Sequence, residues 1–249
     1  MKKVTYDRFP YVTAIASCLI PTVFTVIGSV VSQILEADEW ETYAIMAAVV
    51  FISVLLAVSL IFKKRADFGL RKPEHIEKKT ALLCLPLLLI EVLPVIICGF
   101  RPELYLRDFA ILLLFTVFVG LNEEIWFRGI ALKAVSAKGS RHAIVVTAII
   151  FGASHAVNLF GGADFYMTLL QILFAFCVGI VLAAICVTTK SLLIPIVWHL
   201  MHNFISISTN TIGVFGDNSE LFIILVQLVL LIISAVGLWR VIPETRERI

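Results

Sequence analysis

Apolar stretches of about twenty residues, each long enough to cross a bilayer as a helix, follow one another along nearly the whole chain. The pattern predicts eight of them: about Phe9 to Leu35, Thr42 to Phe62, Thr80 to Gly99, Phe109 to a point past Glu123, Ala143 to Phe160, Phe165 to Val187, Leu192 to Thr209, and Leu221 to Trp239. Short polar connections separate them, the longest being Lys63 to Lys79. The expected architecture is all-α: a polytopic membrane protein of eight helices, built as one integral domain over residues 1–249.

Composition agrees with the pattern. Of 249 residues, 60% are apolar and 15% charged, against roughly 25% charged in a soluble domain, and the mean hydropathy is +1.02. These values exclude a disordered chain, a basic nucleic-acid-binding domain and a disulfide-stapled secreted module, and they argue against a soluble enzyme. Cys18, Cys84, Cys98, Cys177 and Cys186 lie in or beside apolar stretches with no CxxC spacing, which reads as small buried hydrophobes.

Charge then gives the stretches a direction. With eight spans and both termini cytoplasmic, 18 of the 20 Lys and Arg fall on the inner side, leaving Arg101 and Arg107 outside. The first outer connection, Glu36-Ala37-Asp38-Glu39, is acidic. The basic amino-terminal run reads as the lead into a retained first helix rather than a cleaved signal. The Lys63–Lys79 loop is the inside-positive loop, with anionic lipid as a secondary contact. His75 and His142, in basic loops, read as solvated.

Against this background, ionisable residues inside spans stand out, because each is costly in hydrocarbon. The fourth span carries Asn122-Glu123-Glu124 and Arg128, the fifth His155, the seventh His199, His202 and Asn203. At 1.5 Å per residue, Glu123, His155 and His199 lie roughly 15, 21 and 14 Å from the inner ends of their helices, so three helices can bring them into one cavity. Glu124 and Arg128, four apart, share a helix face suited to an ion pair. His199 and Asn203 also share a face, with His202 turned about 60° from His199. Glu91, between Pro86 and Pro94 in the third span, reads as one structural polar contact in a kinked helix.

These residue types point to hydrolysis. A carboxylate and a neutral imidazole can take the proton of a shared water. A second imidazole and an amide can donate to an oxyanion. Ser154 adjoins His155 but points about 100° away, so water is the better nucleophile. Glu123, His155 and His199 also form a possible zinc set, though scattered over three helices without an H-E-x-x-H segment. No cofactor is favoured; zinc is the alternative, and His202 keeps it open.

Glu123-Glu124-Ile-Trp-Phe-Arg128-Gly129 resembles an E-E-x-x-x-R-G motif, Phe151-Gly-Ala-Ser-His155 an F-x-x-x-H motif, and His199-Leu-Met-His-Asn203 an H-x-x-x-N motif. Together and in this order they resemble the CaaX-protease and bacteriocin-processing (CPBP, or Abi) family of intramembrane proteases, with the catalytic core at residues 109–203. The resemblance implies an endopeptidase in which Glu123 and His155 activate the water, His199 and Asn203 form the oxyanion hole, and Glu124 and Arg128 support the site. It further implies a short membrane-associated peptide substrate, CaaX-type and prenylated or a bacteriocin or pheromone precursor, and a cell-membrane location. Two other classes compete: a non-catalytic immunity or sequestering protein, and a transporter with proton-relay acids. The absence of an internal repeat argues against the transporter.

Overall fold

The computed structural model describes residues 9–64, 69–73 and 76–242, with backbone alone at 61–64. His75 lies outside the described residues. Among them the chain is helical, and the only β features are isolated bridges. The helices are α1 (Pro10–Ile34), α2 (Glu39–Lys64), α3 (Lys78–Leu83), α4 (Leu85–Cys98), α5 (Leu106–Glu124), α6 (Lys133–Ser136), α7 (Ser140–Ser154), α8 (Phe165–Thr189), α9 (Leu193–Ser208) and α10 (Ser219–Trp239).

Taken with their continuations, seven of these segments are long and apolar enough to cross a membrane. The protein is a multi-pass membrane protein. The eighth expected span, α9, has only 16 residues, or roughly 24 Å, somewhat short of a ~30 Å hydrocarbon core. Many of its polar residues face the protein interior, where thickness matters less than partners.

Three local departures from regular helix concern the site. The third span breaks at Cys84 into α3 and α4, with Pro86 in the first turn of α4 and Pro94 inside it. Past Glu124 the fourth span continues as a π-helix, Ile125–Leu132, all eight residues of which are buried. Such wide turns occur mostly at functional sites. In the fifth span, α7 stops at Ser154 and a 3₁₀ helix, His155–Gly161, takes over. The reason is local competition for one carbonyl. Phe151 O accepts the Ser154 hydroxyl at 2.7 Å and lies 2.9 Å from His155 Nδ1, while the His155 N–H turns to Gly152 and Ala153.

The core is centred on α8, with α7 packed along it. Glycine permits the close approach. A Cβ at Gly152 would stand 2.9 Å from the Ile172 carbonyl oxygen, and one at Gly179 2.9 Å from the Ala148 Cα. Small residues at helix crossings are the usual means of tight packing where lipid supplies no hydrophobic drive. Indole N–H groups tie outlying helices in: Trp126 donates to Ser53 on α2 (3.0 Å) and Trp198 to the Leu87 carbonyl on α4 (3.1 Å).

Contacts between connections sort them into two sets. Arg101 bonds Glu39 twice (2.7 and 3.0 Å), its N–H reaches Ser208 O, and Val214 N–H reaches Ile97 O. These join the 35–38, 99–105 and 209–218 connections at one end. At the other end Leu192 N–H reaches Gly69 O, Arg71 Nε reaches Lys190 O, and Tyr11 meets His142. His142 is thus exposed but hydrogen-bonded. The two ends are the ones that charge sorting separates as acidic and basic.

Candidate functional site

Glu124 is fully buried and organises the site. Arg128 Nη1 donates to its Oε1 at 3.0 Å, across one turn at the α5–π junction. His199 Nδ1, from α9, lies 2.7 Å from the same oxygen. Charge-assisted bonds of this length are the strong kind, and a buried carboxylate without a cation would be prohibitively costly.

Glu123 approaches the same imidazole from its other side, with Oε2 3.7 Å from His199 Nε2. The 100° offset between neighbouring glutamates on a helix thus places them on the two nitrogens of one ring. A distance above hydrogen-bond range suits a shared water.

Phe151 packs these groups together. Its ring meets His155 edge-on at 5.1 Å and His199 at 6.0 Å, and the Arg128 guanidinium sits 4.2 Å from its centroid. The phenylalanine of the second motif is therefore an aromatic wall that also faces the buried cation.

A cavity of about 400 Å³ adjoins the cluster, and His155, His199 and Asn203 all line it. Glu123 and Glu124 sit behind His199 rather than in the lining. The structure therefore brings Glu123, Glu124, Arg128 and His199 into direct contact, and places His155 and Asn203 on the adjoining wall.

Sequence reading left a second group unassembled. His202 lies between two rings, stacked on Trp198 (5.1 Å, 9°) and on Phe174 (5.1 Å, 22°). Its Nδ1 is 3.1 Å from Glu91 Oε1, and both residues line the cavity. Glu91 does make one polar contact, as expected, but with a histidine of the third motif. Its 111-residue separation from His202 leaves no local signal for the pairing, and the only pointers were an acid and a histidine each standing inside a span.

Among the described residues no group of three His, Cys, Asp or Glu is arranged to hold a metal ion. The Glu123, His155, His199 set does not form a ligand cluster in this arrangement. All five cysteines are free, three of them buried.

Residues 105–205 match the family described as Type II CAAX prenyl endopeptidase Rce1-like. That family is the CPBP family, and the similarity covers about two fifths of the chain. The matched segment runs from the start of α5 into the last turns of α9 and contains every residue of the three motifs. The CPBP family is one of CAAX-type intramembrane proteases, a hydrolase family acting on membrane-associated peptides. No curated protein matches the chain. Around the matched segment, α4 and α10 complete the cavity with Glu91, Glu220 and Gln227.

Proposed function

We propose that the chain is a glutamate-type intramembrane endopeptidase that cuts a short membrane-associated peptide. The observation that carries this reading is the Glu124–His199–Glu123 arrangement, buried against Arg128 and opening through His199 onto a polar-lined cavity.

The geometry supports a definite division of labour. Glu124 accepts the Nδ1 proton of His199, which fixes the ring and turns Nε2 toward Glu123. Glu123 Oε2, a buried oxygen with no hydrogen-bond partner in the protein and 3.7 Å from His199 Nε2, is the atom that would hold the attacking water. In the proposed reaction Glu123, assisted by His155, takes the water's proton as its oxygen bonds to the scissile carbonyl carbon. His199, carrying a proton on each ring nitrogen, donates its Nε2–H to the oxyanion of the tetrahedral intermediate, and the Asn203 amide donates beside it. When it collapses, the C–N bond breaks and the abstracted proton passes to the leaving amine. Arg128 holds Glu124 in place through their ion pair. No metal enters this scheme. The substrate is a CaaX-type prenylated end or a bacteriocin- or pheromone-like precursor.

A comparison of short peptides and processed termini from cells carrying the native chain or Glu123→Gln tests the reading. Loss of specific peptides in the variant, unaffected by chelators, supports it. Identical peptide sets, alongside a phenotype on deletion, would favour a non-catalytic immunity or sequestering protein.

A further inference from the structure

The cavity has a direction. Beyond the catalytic cluster its wall is built from Ala163 and Met167 at the start of α8, Thr209 and Thr211 after α9, and Glu220 and Ile223 at the start of α10. All of these belong to the end where the 162–164 and 209–218 connections lie. Among the described residues no lining side chain comes from the opposite connections around Gly69, Lys138 or Lys190. Those opposite connections carry the basic residues and face the cytoplasm by the positive-inside rule.

Charge and apolar surface at the mouth are also distinctive. The lining holds two carboxylates, Glu91 and Glu220, and no Lys or Arg. The connections on that side add Asp164 and Asp217. The two arginines there are engaged, Arg101 by Glu39 and Glu103 and Arg107 by Asp108. Beside the mouth, Phe160 is 93% exposed, with Phe165, Tyr166, Ile212 and Val214 also exposed. Aromatic side chains at this level are the usual anchors at a membrane–water interface.

From these observations we infer that the cavity takes its substrate from the non-cytoplasmic face: a cationic or neutral peptide adsorbed to the outer leaflet, whose scissile segment enters past Glu220 and Thr211. This rests on the protease reading for the cut, but not for the side of entry. Electrostatics favour a basic segment beside the cleaved bond, because every fixed charge in the wall is negative.

The experiment separates the two claims. In a chain with its five cysteines replaced by alanine, Ser206→Cys, one turn beyond Asn203 in the cavity, is compared with Lys138→Cys in the opposite connection. A membrane-impermeant maleimide is added to right-side-out and inverted vesicles. Labelling of Ser206→Cys in right-side-out vesicles and of Lys138→Cys only in inverted ones is expected; the reverse pattern overturns the inference. The second arm supplies quenched farnesylcysteine peptides, with two lysines or two glutamates beside the modified residue, to native-chain vesicles. Cleavage in right-side-out vesicles, none in inverted ones before detergent, and at least a fivefold preference for the lysine peptide are expected. Cleavage confined to intact inverted vesicles, or a preference for glutamate, overturns it. If labelling is as expected but detergent-solubilised protein cuts neither peptide, the entry side stands and the protease reading falls.

Discussion

Two histidines on α9, three residues apart, each meet glutamate from another helix, and they are held by opposite means. His199 is held by charge: Glu124 at one nitrogen, Glu123 near the other, and Arg128 behind. His202 is held by shape: Trp198 and Phe174 cover its two faces, and Glu91 meets one nitrogen. The first arrangement gathers paired polar groups around the ring in a medium that disfavours lone charges, while the second fixes a ring plane in the cavity wall. The proposed chemistry uses the former, because it places a carboxylate beside an imidazole where a water's proton can be taken.

The comparison predicts a graded series. Glu123→Gln removes the proposed base while Glu124, Arg128 and His199 stay paired. Turnover is expected to fall by roughly 10²–10⁴, with the melting midpoint in detergent little changed. An equal loss in Glu91→Gln would erase the distinction between the pairs.

Next in size is Arg128→Met, which leaves Glu124 buried without its cation. Breaking such a pair costs about 3–5 kcal/mol, so thermal unfolding in detergent should shift down by several degrees and activity should vanish with it. Glu124→Gln together with Arg128→Met removes both charges and is expected to recover much of the stability but none of the activity.

Smaller again is Glu91→Gln. It keeps the contact's shape and loses a charge, so cleavage should fall less than about tenfold, consistent with one ordinary hydrogen bond. KM is expected to move more than kcat, because the pair lines the cavity without touching the Glu123–His199 gap.

The smallest effect lies at the end where the 35–38 and 99–105 connections meet. Arg101 is held in its charged form chiefly by its bonds to Glu39 and Glu103, and it keeps the Glu103 carboxyl below its ordinary range. A depressed carboxyl contributes stability above its unfolded value and loses it as pH falls through the folded one. Arg101→Ala should therefore flatten the acid limb of a stability–pH profile slightly, by the small amount usual for exposed pairs. It should leave turnover at neutral pH unchanged.

Much of this was legible along the chain. Each apolar stretch became helical, the third as two helices broken at Cys84, because a backbone in lipid must satisfy its hydrogen bonds within the segment. The i,i+4 spacing of Glu124 and Arg128 foretold their ion pair, and the depth of His199 foretold its meeting with α5. The π segment was not legible, since a helical pattern carries no mark of where an extra residue is absorbed. The turn at His155 depended on two side chains competing for Phe151 O.

By itself, then, the sequence determined the membrane class, the alternation of the connections and the three polar motifs, because hydropathy and charge add up locally. Only the tertiary structure decided that His199 lies between two glutamates, that Glu91 belongs to the cavity, and which end of the bundle that cavity faces. Those facts depend on the rotation and packing of helices whose contacting residues stand 75 and 111 positions apart. No local period records how such helices turn toward one another.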